Sequence, residues 1–226
     1  MREIAQKLKN TKLFIGLNEE EILSCLKSTE FNIEEFEKEE IIFHVGDRAR
    51  HINILIEGVV NVCRDSMDGK RSIVAIFTAA GAIFGEVFLF LENKGYEHYA
   101  KAASKVKLLK IPRDYLFEHS KEGKDYHKIF LANMLSDLAF KNYYLNRKVQ
   151  ILSCSSLRQK IAMFLIQNMD KDKMSVSGLG REEMADLLNT ARPSLSRELM
   201  KMHEEGIIEI DKKQIIIKSI EALENL

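Results

Sequence analysis

The sequence predicts an α+β chain in three parts: a β-barrel with flanking helices, one long helix, and a small helical domain closed by a β-hairpin. Three patterns predict it. Short β-rich runs fill the stretch from Phe31 to Ile111, an unbroken heptad seam runs from Leu131 to Leu152, and two short helical stretches precede a strand pair between Arg181 and Ile217. The parts divide as residues 1–122, 123–152 and 153–226.

Ile4 to Leu26 carry apolar residues at helical spacing, and Asn18 followed three positions later by Glu21 has the form of a helix start with a capping pair. Beyond them, Ile52, Ile54 and Ile56 alternate with Asn53 and Glu57, and turns are marked at Gly46-Asp47, Gly58 and Asp68-Gly69. Such strands suggest an antiparallel barrel or sandwich. Ile73 to Leu91 is apolar enough to raise a membrane span, but Gly81 and Gly85 punctuate it and Glu86 is costly in lipid. Two buried strands with a turn fit it better.

After Pro112 the pattern is helical for about 30 residues, longer than an ordinary globular helix. Leu135, Asn142 and Val149 fall at a, and Leu131, Leu138, Leu145 and Leu152 at d. Leu at every d with one central a-position Asn favours a parallel two-stranded coil, so these seven residues are the expected dimer interface. A single core-facing stripe is the alternative, and it would leave Asn142 buried without a partner. The seam stops at Leu152, and Ser156-Leu157-Arg158-Gln159 has the spacing of a capping box that opens a further helix, expected to run to about Gly178.

Lys and Arg total 34, as do Asp and Glu, so no chain-wide field attracts nucleic acid or an anionic membrane, and any such affinity is local. Cys25, Cys63 and Cys154 are far apart and form no C-x-x-C pair, which fits a reducing cytoplasm, and residues 1–10 resemble neither a signal nor a transit peptide. Enzyme motifs are missing: no G-x-x-x-x-G-K-[ST], H-E-x-x-H or G-x-S-x-G occurs. No catalytic residue and no metal ligand is assigned.

Arg181 to Asn189 and Pro193 to Glu205 read as two helices joined by a tight turn, the geometry that enters a DNA major groove. Pro193 suits a first-turn position, and Leu195 and Leu199 are four apart and pack inward. Arg192, Ser194, Ser196 and Arg197 are left near the surface, where Arg suits guanine and Ser suits phosphate or base edges. Arg181 and Lys201 are candidates for phosphate contact, and Lys212 and Lys213 extend the basic face onto the hairpin. From Ser153 onward there are 11 basic and 12 acidic residues, so that face is narrow.

The whole chain resembles the Crp/Fnr family, the cyclic-AMP receptor and fumarate–nitrate regulator group. In the barrel, Ile42-Phe43-His44-Val45-Gly46-Asp47, Ile54-Leu55-Ile56-Glu57-Gly58-Val59-Val60 and Gly81-Ala82-Ile83-Phe84-Gly85-Glu86 are similar to the cyclic-nucleotide-binding domain. Arg181 to Leu188 and Arg192 to Leu199 are similar to the family's helix-turn-helix. The resemblance implies a double-stranded β-helix (jelly-roll-like) sensor, a dimerising helix and a winged helix-turn-helix that binds a two-fold symmetric operator. It further implies double-stranded DNA, a second copy of the chain, RNA polymerase and a small-molecule effector as partners, and no membrane. Arg197 matches the family's guanine-reading arginine and Arg192 its flanking arginine. Pro193 stands where a Glu is frequent, which removes an acceptor for cytosine N4.

The departures bear on mechanism. Family members that bind cyclic nucleotides hold the phosphate with an Arg-Ser or Arg-Thr pair, and the matching residues here are Tyr96-Glu97. The effector pocket implied by the resemblance comprises Gly85, Glu86, Tyr96 and Glu97 with Asn142 and Asn146 of the long helix. Glu86 and Glu97 would repel a phosphate there, which disfavours cyclic AMP, and Lys94 and Lys101 are the nearest replacement cations. An iron–sulfur cluster has only Cys25 available near the amino terminus. Haem, as in some relatives from anaerobes, has His44, His51, His98, Tyr99 and Cys63 as candidate ligands, none of them diagnostic. A gas-sensing haem regulator is therefore one alternative, and a sensory module that acts through protein partners is the other.

Overall fold

The computed structural model describes residues 1–28, 31–66, 68–91, 94–118, 125–211 and 214–226. They form two compact units, Met1–Leu138 and Ala139–Leu226. The division falls inside the long helix, which gives Phe130 and Met134 to the first core and Ile151 to the second.

In the first unit, helices α1 (Arg2–Leu8) and α2 (Glu19–Ser28) precede eight strands. The Asn18 and Glu21 pair forms reciprocally: Glu21 N–H donates to Asn18 Oδ1 at 2.9 Å and Asn18 N–H to Glu21 Oε2 at 2.8 Å. One sheet orders β1 (Asn32–Phe36), β8 (Val106–Pro112), β3 (His51–Glu57) and β6 (Ile83–Phe84), and the other orders β2 (Ile41–Phe43), β7 (Tyr99–Ala102), β4 (Val60–Asp65) and β5 (Arg71–Phe77). All pairings are antiparallel, with Ile52 opposite Ile111 and Ile54 opposite Leu109. The result is jelly-roll-like: two sheets that pool Ile54, Leu109, Phe43, Val60 and Ala100 in one core. Residues 52–56 of β3 are all buried because α1 packs behind that strand.

The stretch Ile73 to Leu91 departs from the two buried strands expected. β5 is an outer strand whose Ile73, Val74 and Ile76 are exposed by more than half, and Val87–Phe90 is a short helix, α3. An unbroken apolar run reads as buried, but burial depends on a covering layer, and among the described residues β5 pairs with β4 alone. A short helix α4 (Tyr115–Glu118) precedes α5 (Asp125–Ser153), the long helix, 29 residues in length. Leu131 and Leu138 lean on the first core, whereas Leu135, Leu145 and Val149 are largely exposed.

The second unit continues with α6 (Leu157–Asn168), opened by the expected capping box in which Gln159 N–H donates to Ser156 Oγ at 3.1 Å. This helix ends well before Gly178, and a short strand, β9 (Ser175–Ser177), follows. Val176 is that strand's one apolar residue, which left it without a periodic signal. Helices α7 (Arg181–Leu187) and α8 (Arg192–Glu204) precede β10 (Ile208–Asp211), β11 (Gln214–Ile217) and α9 (Ile220–Glu224). The wing is thus three-stranded, in the order β10-β11-β9, and not a simple pair.

Gly206 terminates α8 with φ of 75°, and Ile207 N–H reaches back to Met202 C=O at 3.0 Å while Gly206 N–H bonds His203 C=O at 3.0 Å. That Schellman closure turns the chain directly from the end of α8 into the wing. A side chain at this position would meet nothing within 4 Å, so the backbone conformation alone opposes one. Gly206→Ala is therefore expected to lower unfolding free energy by about 1 kcal/mol, read from urea titration, with the helix content unchanged.

Candidate functional site

The helix-turn-helix is set by what α7 and α8 bury. Met184, Ala185 and Leu188 from the first, and Leu195, Leu199 and Met202 from the second, are at most 3% exposed and share one core. The turn closes as Thr190 N–H bonds Ala185 C=O at 3.0 Å, with Asn189 in the left-handed region at φ 48°. Pro193 stands in the first turn of α8, where no helical N–H is lost.

With Leu195, Leu199 and Met202 inward, α8 leaves Arg192, Arg197 and Lys201 exposed and Ser194 and Ser196 half-buried. Arg197 Nε rests on Pro193 C=O at 3.4 Å. Arg192 pairs with Glu182 of α7 at 3.2 Å, both side chains being more than 60% exposed, so exchanging that pair for a phosphate costs little. Arg181 is half-buried at the start of α7, and burial pulls its guanidinium below the ordinary value. It remains charged at any physiological pH. Lys212 and Lys213 lie outside the described residues.

One contributor carries no local signal. Arg158 of α6 reaches Glu198 on α8 at 3.2 Å and also binds Glu205, whose carboxylate holds the guanidinium above its ordinary value. Arg158 and Glu198 are 25% and 19% exposed, so this bridge clamps the outward helix to the body of the unit. It also engages Glu198 and Glu205, the two carboxylates that neighbour Lys201 along α8, with a cation of the helix behind.

In the sensor unit, Gly85, Glu86 and Tyr96 come together and Glu97 does not join them. Tyr96 is 5% exposed, stacks on Phe43 with ring centroids 3.7 Å apart, and meets Phe88 edge-on at 5.4 Å. Its hydroxyl sits 3.4 Å from Asn53 Nδ2, and burial raises its pKa, so the phenol stays neutral. A Cβ on Gly85 would lie 2.8 Å from the Tyr96 ring. Glu86 is buried, whereas Glu97 is exposed and pairs with Lys94 at 3.8 Å. Lys101 is buried with its ammonium held by Glu39. Asn142 and Asn146 belong to the second unit, exposed on α5 and 3.4 Å from each other.

The other singled-out residues have local partners. His44 lies 3.6 Å from Asp47, burial and Lys110 hold His51 below its ordinary pKa, and His98 is half-buried. Tyr99 Oη lies between Arg71 Nε at 2.7 Å and Asp65 Oδ1 at 2.9 Å, opposite Cys63 on β4. Burial pushes the Cys25 thiol up to about 11, which keeps it protonated. Among the described residues no group of three His, Cys, Asp or Glu side chains is arranged to hold a metal ion.

Comparison with known proteins agrees with this geometry. The cyclic nucleotide-binding domain family matches residues 33–121, and the Crp-like helix-turn-helix domain family matches residues 159–226. A cyclic AMP receptor protein of Thermus thermophilus is 24% identical over 220 residues, covering 97% of this chain and 98% of its own. A global nitrogen regulator of Synechococcus elongatus is 26% identical over 194 residues, covering 82% of this chain and 85% of its own. Among solved structures, the Thermus thermophilus catabolite activator protein superposes with a TM-score of 0.54 at 24% identity, covering 95% of this chain and 97% of its own. With a nucleotide-type sensor fold and a Crp-like reading head matched in one chain, this protein belongs to the Crp/Fnr family of DNA-binding transcription regulators.

Proposed function

We propose that the chain acts as a parallel homodimer that reads an inverted-repeat operator and regulates transcription with RNA polymerase, under an effector other than cyclic AMP. The observation that carries the DNA reading is the two-sided character of α8: Leu195, Leu199 and Met202 buried, Arg192, Arg197 and Lys201 outward. Two such helices related by a two-fold axis reach adjacent major grooves on one face of the duplex when their half-sites lie about 10 bp apart. The dimer reading is supported by Leu135, Leu145 and Val149, each at least 59% exposed along α5. Apolar residues repeating at heptad spacing on an exposed helix face are what a second helix covers. The effector reading is supported by Tyr96, whose ring occupies the barrel position where the resemblance calls for a phosphate-binding arginine.

Sedimentation at micromolar concentration should give twice the 26.0 kDa chain mass. Asn142→Leu should raise the unfolding temperature and broaden the choice of oligomer, because a polar a-position pair selects register at a cost in stability. A chain that sediments as a monomer would remove the coiled-coil interface.

Calorimetric titration with cyclic AMP should give no saturable heat at micromolar ligand. A neutral, aromatic-packed phenol offers the phosphate no cation, and Glu86 lies beside it. Micromolar binding would mean that Tyr96 swings out and a different cation takes its place.

Selection from random duplexes should return an inverted repeat. Arg197→Ala should then lose about 1–3 kcal/mol of discrimination at one symmetric base pair, while Lys201→Ala should weaken all sequences alike and reduce the salt slope by about one. An Arg197→Ala protein that keeps full base preference would move the reading segment off the start of α8.

A further inference from the structure

A separate cleft opens on the sensor unit, and Gly85, Glu86 and Tyr96 are not among its lining residues. It holds about 500 Å³, and three cationic side chains, Arg48, Lys94 and Arg113, share its wall with Phe88, Leu89 and Leu91. Among the described residues no carboxylate lines it. Like charges gathered around one concave surface, with apolar walls that lower the local dielectric, raise the potential for an anion. Asp47 is turned to the backbone N–H of His44 at 2.8 Å, and Glu97 meets Lys94 only as an exposed pair at 3.8 Å.

The cleft is built before any ligand arrives. Gly46 N–H donates to Tyr96 C=O at 2.8 Å and Tyr96 N–H to Asp47 C=O at 2.9 Å, which ties the segment bearing Arg48 to the one bearing Lys94. That approach depends on residue 95 being glycine, since a Cβ there would lie 2.5 Å from Gly46 O. Arg113 is anchored twice, by Nε to Leu89 C=O at 2.8 Å and by its backbone N–H to Arg50 C=O at 2.9 Å. Arg113, held by these bonds, loses little freedom when it binds, so little of the binding free energy is consumed in ordering it.

We propose that this cleft binds a small organic anion with a dianionic oxygen head and an apolar body, the head between Arg48, Lys94 and Arg113 and the body against Phe88, Leu89 and Leu91. The head chemistry is shared by phosphate esters and dicarboxylates, and the volume suits a molecule of ordinary metabolite size. The site deepens the sensor half of the function proposed above and rests on it for its regulatory meaning. The segment that carries Arg48 is bonded to the backbone of Tyr96, and Lys94 lies two residues before Tyr96 in the chain, so an anion that draws the two cations together acts on the residue filling the barrel.

The test is titration calorimetry of the full chain without DNA, using phenyl phosphate and phthalate as probes and inorganic phosphate and phenol as controls. At least one of the two probes should bind saturably, and each control should bind about tenfold more weakly or not at all, because it lacks the body or the charge. Arg48 and Lys94 are exposed, so Arg48→Gln and Lys94→Gln should fold normally, as thermal unfolding will report. Each should weaken the bound probe about tenfold, the scale of one lost hydrogen bond to a charged group. Absence of saturable binding by both probes into the millimolar range overturns the proposal, as does wild-type affinity in both variants. Operator binding measured in parallel on the same preparations separates failure of the cleft from failure of the DNA reading.

Discussion

Tyr96 lies flat on Phe43 at 3.7 Å, and the sensor unit is arranged around that contact. The pair continues to Phe88 and, through Phe43, to Phe84 and Phe77, so an aromatic cluster fills the end of the jelly roll that faces α3. Each neighbouring feature follows from the space these rings take. Residue 85 has to be glycine-sized against the Tyr96 ring, Asn53 has to turn its amide toward the phenol, and the backbone of Tyr96 is left to tie the 46–47 turn in place. An arginine at position 96 would carry a charge into the same volume and would need an anion beside it to be tolerated. A tyrosine there fills the same volume without bringing in a charge.

The reading head works on a comparable economy of charge. Its unit carries nearly equal numbers of basic and acidic residues, so affinity for a polyanion depends on where the acids are kept. Arg158 takes two of them, Glu198 and Glu205, into a bridge behind α8, and that bridge doubles as the mechanical link between α8 and α6. The Gly206 closure then fixes the direction in which the wing leaves the helix.

Much of this was legible in the sequence wherever the determining partners are neighbours along the chain. Asn18 with Glu21, Ser156 with Gln159, and Leu195 with Leu199 each interact within one helical turn, and each forms as the spacing indicates. The long helix α5 could be read in the same way, but Leu131 and Leu138 of its seam pack on the core of the first unit, which a one-dimensional seam does not reveal. What could not be read depends on distant partners: the stacking of Phe43 on Tyr96, the reach of Arg158 to Glu198, and the convergence of Arg48, Lys94 and Arg113 on one cleft. Placing Glu97 beside Glu86 followed the paired positions of the resemblance. Tyr96 alone of that pair is buried, and Glu97 is exposed and paired with Lys94.

The bare outer edge of β5 has a consequence for how the chain behaves before it is fully assembled. Residues 73–77 read Ile-Val-Ala-Ile-Phe, with no charge and no proline, and among the described residues one side of the strand has no hydrogen-bonded neighbour strand. Such a segment is a template for pairing with another copy of itself, and its composition is that of cross-β self-association. One thing restrains it: Arg71 introduces a charge at its start that partners Asp65 on β4. Substitutions that slacken the pairing of β4 with β5 will therefore cost solubility first, as lateral strand addition during synthesis, before any loss of ligand or operator affinity is felt.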